Sequence, residues 1–110
     1  MNDLAQLDPA AMQAAATRAC TLFKVLANRD RLLLLCQLTQ GPLCVGELES
    51  ISGIQQPTLS QQLAVLRDEA LVTTRREGKQ IFYSMASAEA LAVMQVLSQL
   101  YCATAEGATT

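Results

Sequence analysis

Four thiols and a cluster of neutral amides and hydroxyls are the side chains best suited to chemistry or recognition in this 110-residue sequence. The thiols are Cys20, Cys36, Cys44 and Cys102, in a chain with no histidine. Thiolates are soft ligands, so a trigonal set of them would accept As(III) or Cd(II). They also oxidise. Peroxide leads through sulfenic acid to a direct disulfide, whereas persulfides can insert extra sulfur between two thiols. A direct disulfide needs its Cβ atoms about 3.5–4.5 Å apart, and a bridge holding additional sulfur tolerates a wider gap. Taken singly, Cys36 lies in the run Leu32–Cys36 and reads as a small hydrophobe. Cys102 adjoins a tail of small residues and reads as exposed and reactive. Cys44 stands where a helix begins, and Cys20 faces sideways on the first helix. No Cys-x-x-Cys and no βαβ pattern accompany them, which argues against a thiol oxidoreductase, and no enzyme activity is expected. No resident metal or cofactor is expected.

The amides and hydroxyls are Gln56, Thr58, Ser60, Gln61 and Gln62, with no acid among them. An ordinary solvated face would mix Glu and Lys. Gln can pair bidentately with adenine in a major groove, and hydroxyls reach base edges or phosphates, so this face suits duplex DNA. Behind it, Leu59, Leu63, Leu66 and Ala70 recur at helical spacing and predict a buried stripe. Gly53 suits the left-handed turn that ends a preceding helix, and Pro57 suits a helix first turn.

The elements that must position these groups follow from periodicity and caps. Asp8-Pro9 opens a first helix that runs to about Ala27, with Met12, Ala15, Ala16, Ala19, Leu22, Phe23 and Leu26 as its apolar stripe. Asn28 caps a second helix, apolar nearly all round and therefore central, which Gly41-Pro42 ends. Cys44 to Ser52 forms a short third helix with Val45, Leu48 and Ile51 inward. With the Gly53 turn and the fourth helix it makes a helix-turn-helix. The period then changes to two. Val72–Glu77 and Ile81–Met85 are strands joined by Gly78-Lys79-Gln80. Arg75, Arg76 and Lys79, with Arg67 just before them, are half of the chain's eight cations. A basic hairpin after a helix-turn-helix is a wing, suited to phosphate contact. Ser87 caps a last helix carrying Leu91, Met94, Leu97, Leu100 and Tyr101 on one side, with Cys102 closing it. Arg29 and Arg31, near the start of the second helix, would either pair locally with Asp30 or meet phosphate.

The fold class is thus mainly α with a small β-hairpin, a winged helix-turn-helix. Residues 1–8 form a flexible lead, 9–102 the DNA-binding and dimerisation domain, and 103–110 a disordered tail. An apolar share of 51% with 4% aromatics suits Ala/Leu-packed helices, and exceeds what one small core absorbs. Pairing the first and last helices across a two-fold axis would bury the surplus and set two recognition helices one DNA turn apart. The expected partners are a second copy and an operator that is an imperfect inverted repeat. No apolar run is long enough for a membrane span and no signal pattern opens the chain, so a cytoplasmic location is expected. The net charge of −2 and pI of 4.9 favour a competing reading, an interaction module that does not touch DNA. The basic wing and the Gln/Thr/Ser face oppose it, since only charge near the phosphates counts.

The order helix–helix–helix-turn-helix–wing–helix closely resembles the ArsR/SmtB family of dimeric bacterial repressors. The resemblance spans about residues 18 to 102. It rests on Lys24-Val-Leu-Ala-Asn-Arg-Asp-Arg-Leu, Val45-Gly-Glu-Leu, Gln56-Pro-Thr-Leu-Ser-Gln-Gln-Leu, Leu66-Arg-Asp-Glu-Ala-Leu-Val and Arg75-Arg-Glu-Gly-Lys-Gln-Ile-Phe-Tyr. It implies a homodimer that holds an operator until an inducer releases it, with Gln56, Thr58, Ser60, Gln61 and Gln62 facing DNA. Gln62 stands where many members have a His. The arsenic-type Cys-x-Cys is reduced to Cys44-Val45-Gly46, and the zinc-type site, which needs His, cannot form. Cys36 in Leu35-Cys36-Gln37-Leu38 and Cys102 in Leu100-Tyr101-Cys102 look like the dithiol pair of the branch that senses reactive sulfur. In that branch a persulfide or polysulfide links the two thiols and DNA affinity falls. Peroxide, As(III) or Cd(II) acting on the same scaffold is the alternative.

Overall fold

The computed structural model describes residues 6–102. The tail expected over 103–110 and most of the lead expected over 1–8 lie outside them. Three helices begin where a capping side chain dictates. Asp8 Oδ1 accepts from the Ala11 amide at 2.7 Å and Pro9 follows, opening α1 (Pro9–Leu26). Asn28 Oδ1 accepts from the Arg31 amide at 3.0 Å to open α2 (Arg29–Leu38), and Ser87 Oγ does the same for Ala90 at α5 (Ala88–Leu97). Between them come β1 (Leu43–Cys44), α3 (Val45–Ser52), α4 (Thr58–Asp68), β2 (Val72–Glu77) and β3 (Gln80–Met85). The last helix does not continue to Cys102 in α form; Ser98–Cys102 is a π-helical turn.

Helix α2 is the centre of the fold, lying against α1, α3, α4 and β3. Its Leu34, Leu35 and Leu38 are buried with Leu48 of α3, Leu59, Leu63 and Leu66 of α4, Val72 of β2, and Ala90 and Met94 of α5. Each fully buried Leu contributes about 1.5–3 kcal/mol, so α4 is held to the body chiefly by its three leucines. Ile51 departs from the expected inward position and is 60% exposed. In so short a helix, Leu48 alone reaches the centre and Val45 is half-buried.

Both ends of α4 differ from the sequence pattern. Gly53 takes φ +75° and its amide donates to the Glu49 carbonyl at 3.0 Å, as expected of a helix-ending glycine. Pro57, however, precedes α4 rather than lying in its first turn. Ala70 fits the spacing of the buried stripe, but α4 stops at Asp68, and Ala70 is exposed at φ +62°. The Leu71 amide then reaches the Leu66 carbonyl at 2.9 Å. The reversal hands the buried position to Leu71.

The sheet has three antiparallel strands in the order β1-β3-β2, where the sequence pattern shows a hairpin alone. Strand β1, with Leu43 opposite Tyr83 and Cys44 opposite Phe82, is too short to show alternation in sequence. The hairpin turn is two residues rather than three. Gln80 already pairs with Glu77, and Gly78 supplies the φ of +64° that a two-residue turn needs at its first position. Among the described residues, no helix is long and apolar enough to cross a membrane.

Candidate nucleic-acid interface and thiol groove

Helix α3, the Gly53 turn and α4 form the helix-turn-helix. Since Leu59, Leu63 and Leu66 point into the core, the other face of α4 carries exposed Ser60 and Gln61, with Thr58 and Gln62 half-buried beside them. These residues are not equivalent. Pro57 has no side chain that can cap α4, and Gln56 does so in its place. Its Oε1 accepts from the Ser60 amide at 3.1 Å and from Ser60 Oγ at 2.7 Å. Gln56 and Ser60 are therefore engaged with one another. Gln62 Oε1 accepts from Arg31 Nη1 at 2.9 Å. Among the described residues, the side chains of Thr58 and Gln61 have no hydrogen-bond partner and are the freest to reach a ligand.

Arg31 also donates through Nε to the Val25 carbonyl at 2.6 Å and through Nη2 to that of Lys24 at 3.4 Å. Neither pairing with Asp30 nor an open phosphate site describes it. Arg29 remains outward, 4.0 Å from Asp30, at the edge of a polar cleft of about 460 Å³ that Ser52, Gln55, Gln56 and Thr58 also line.

The three wing cations are divided by the period of the strand. Arg75, opposite Phe82, lies 5.5 Å from the ring centroid and pairs with Glu77 at 2.8 Å. Arg76 projects to the other face, where its Nε donates to the Gly78 carbonyl at 3.1 Å. Lys79 occupies the turn and has no carboxylate partner among the described residues. An exposed ion pair such as Arg75–Glu77 is worth about 0–1 kcal/mol, little enough to exchange for a phosphate.

The thiols separate into a pair and two outliers. Cys36, which by its sequence surroundings belongs in the core, is exposed, because the core side of α2 is taken by Leu34, Leu35 and Leu38. Cys102 is exposed on the π-helical turn after α5. Both are free thiols and both line one apolar groove of about 580 Å³, whose walls include Leu32, Leu33, Met94 and Tyr101. Cys44 is buried at the start of α3 and Cys20 is exposed on α1; neither borders the groove. Among the described residues, no three Cys, Asp or Glu side chains come together as a metal-ligand set. Sequence reasoning missed Met94 and Tyr101 as groove walls, although Tyr101 adjoins Cys102. It also missed the reach of Arg31, for which no local pattern exists.

Apolar surface is concentrated on the first and last helices. Phe23 is 55% exposed on α1, and Val96, Leu100 and Tyr101 are exposed on and after α5. These outward apolar side chains lie on the two helices whose sequence pattern calls for a second copy of the chain.

The family described as "Bacterial regulatory protein, arsR family" matches residues 28–74. The Biofilm growth-associated repressor of Agrobacterium fabrum is 47% identical over 94% of this chain and 89% of its own length. The solved structure of reduced HlyU from Vibrio cholerae superposes with a TM-score of 0.80 at 42% identity, covering 84% of this chain and 97% of that one. A homodimeric winged helix-turn-helix DNA-binding domain from Mycobacterium bovis superposes with a TM-score of 0.70 at 28% identity, over 93% of each chain.

Proposed function

The chain belongs to the bacterial arsR family, as a DNA-binding transcriptional regulator with a winged helix-turn-helix, and we propose that it is a homodimeric repressor released by reactive sulfur. The observation that carries the inducer is the single groove shared by Cys36 and Cys102. Residues 9–102 act as one unit for DNA binding and dimerisation. The exposed apolar faces of α1 and α5 pack on those of a second copy, which sets two α4 helices about 34 Å apart, one DNA turn, on an imperfect inverted repeat. Thr58 and Gln61 read the major groove, with Gln56, Ser60 and Gln62 beside them. Arg75, Arg76 and Lys79 bind flanking phosphates.

Release follows from where the thiols sit. One thiolate attacks the outer sulfur of a persulfide R–S–SH; the S–S bond breaks and the carrier leaves as R–SH. A second R–S–SH oxidises the resulting protein persulfide and the other thiol to a trisulfide, and is itself reduced to R–SH and hydrogen sulfide. The new bridge ties α2 to the turn after α5. Because α5 forms part of the dimer contact and α2 carries the core, the bridge alters the spacing of the two α4 helices and one half-site is lost.

The relative named as a repressor supports repression, and the description of the Vibrio cholerae neighbour as reduced fits a thiol-responsive scaffold. Mass spectrometry of persulfide-treated protein tests the reading. A Cys36–Cys102 cross-link within one chain, heavier than a disulfide by one or more sulfur atoms, supports it. Modification of Cys20 or Cys44 with Cys36 and Cys102 left free contradicts it. A direct disulfide formed with peroxide alone transfers the mechanism to peroxide.

A further inference from the structure

A guanidinium offers only hydrogen-bond donors, so the group of Gln62 that faces Arg31 Nη1 at 2.9 Å must be its amide oxygen. That contact decides which way the amide is turned. A glutamine free to rotate presents both an acceptor and a donor, the combination that matches adenine's N6 and N7. With Oε1 turned to Arg31, which takes one of its two lone pairs, the group with no partner among the described residues is Nε2, a donor.

Arg31 is itself firmly held. Helix α1 ends at Leu26, and its last carbonyls need partners outside the helix. The Phe23 carbonyl receives the Ala27 amide and the Leu26 carbonyl the Asn28 amide, while those of Lys24 and Val25 receive Arg31. Two of the three Arg31 contacts thus anchor the guanidinium at the negative end of α1, and the third reaches across to α4.

We infer that Arg31 is a positioning residue for DNA readout, holding the Gln62 amide oxygen towards itself so that α4 offers the Nε2 donor to one base in each half-site. This rests on the reading that the outer face of α4 meets the major groove. The base edges that fit a lone donor there are guanine N7 or O6, adenine N7 and thymine O4. The specificity of Gln62 is therefore set from another helix, by a residue that need not touch DNA.

The test is competition binding of the full-length dimer to operators carrying every single base-pair change, for the native protein and three variants. Gln62→Glu keeps an acceptor for Arg31 and removes the donor; its preference at one step per half-site falls by about three- to tenfold, with helix content and dimerisation unchanged. Arg31→Lys removes the planar fork and frees the amide, so preference at the same step shifts towards adenine. Gln61→Ala is the control for the α4 face and changes a different step. If Gln61→Ala alters the profile while Gln62→Glu leaves it unchanged, the positioning role is wrong and the α4 reading stands. A uniform loss of affinity across all operators in Arg31→Lys, with preferences intact, likewise assigns Arg31 to structure alone. If Arg31→Lys does not fold, Gln62→Glu decides the matter by itself. Unchanged preferences in every variant, Gln61→Ala included, overturn the α4 reading and this inference together.

Discussion

Cys36 on α2 and Cys102 on the π-helical turn after α5 face the same apolar groove, though they lie in different helices and far apart in the chain. Among the described residues, no other pair of thiols joins a core helix to the outward end of α5. A Cys36→Ser variant is therefore expected to bind the operator as tightly as the native protein when reduced and to stay bound after persulfide treatment. The side chain is exposed, so the exchange leaves the core intact. Gel-shift titration checks it; full release of the variant would reduce Cys36 to a wall of the groove.

On α4, Gln61 is exposed, and its side chain has no hydrogen-bond partner among the described residues. Replacing it with Ala removes that amide without disturbing a cap. Gln61→Ala is expected to cost about 1–3 kcal/mol of discrimination between the operator and single-base variants, with the thermal midpoint unchanged. Equal discrimination by the variant would move base reading elsewhere on the helix.

In the wing, Lys79 lacks a carboxylate partner among the described residues, while Arg75 shares its charge with Glu77. Lys79→Ala should weaken binding to specific and random duplexes alike, and lower the slope of log K against log salt by about 1 for each protomer. Arg76→Ala should do the same. A salt slope that both variants leave intact would remove the wing from the interface.

Ala70 stands at φ +62°, exposed, where an L side chain is disfavoured. Relief of the left-handed conformation is worth about 1–2 kcal/mol, partly offset by the greater freedom of Gly in the unfolded chain. Ala70→Gly is thus expected to stabilise the fold by about 0.5–1 kcal/mol and leave operator affinity unchanged, as judged by urea denaturation. Destabilisation would mean that the reversal after α4 depends on the Ala methyl.

The parts of the fold legible in sequence are those written locally. Asp8, Asn28 and Ser87 cap the helices that their types predict, and the leucines of α4 are buried at the expected spacing. The wing is legible because alternation and a glycine turn are local too. Strand β1 is not, since two residues carry no period and gain their partners only when β3 arrives beside them. Cys36 reads as a core residue because a run of four leucines gives no phase from which to tell its outer face from its inner one. The candidate DNA face is legible as a set of residue types. Its internal division is not, because Gln56 gripping Ser60 and Arg31 gripping Gln62 are side-chain contacts that leave no periodic trace.

Whether linking Cys36 to Cys102 lowers operator affinity is read by fluorescence anisotropy with DNA from immediately upstream of the chain's own gene. Reduced protein, persulfide-treated protein and peroxide-treated protein are titrated in parallel at one salt concentration. The expected outcome is tight binding by the reduced dimer, loss of binding after persulfide, and recovery when a reductant removes the added sulfur. Tight binding that survives persulfide treatment, with the Cys36–Cys102 bridge verified by mass, would contradict it.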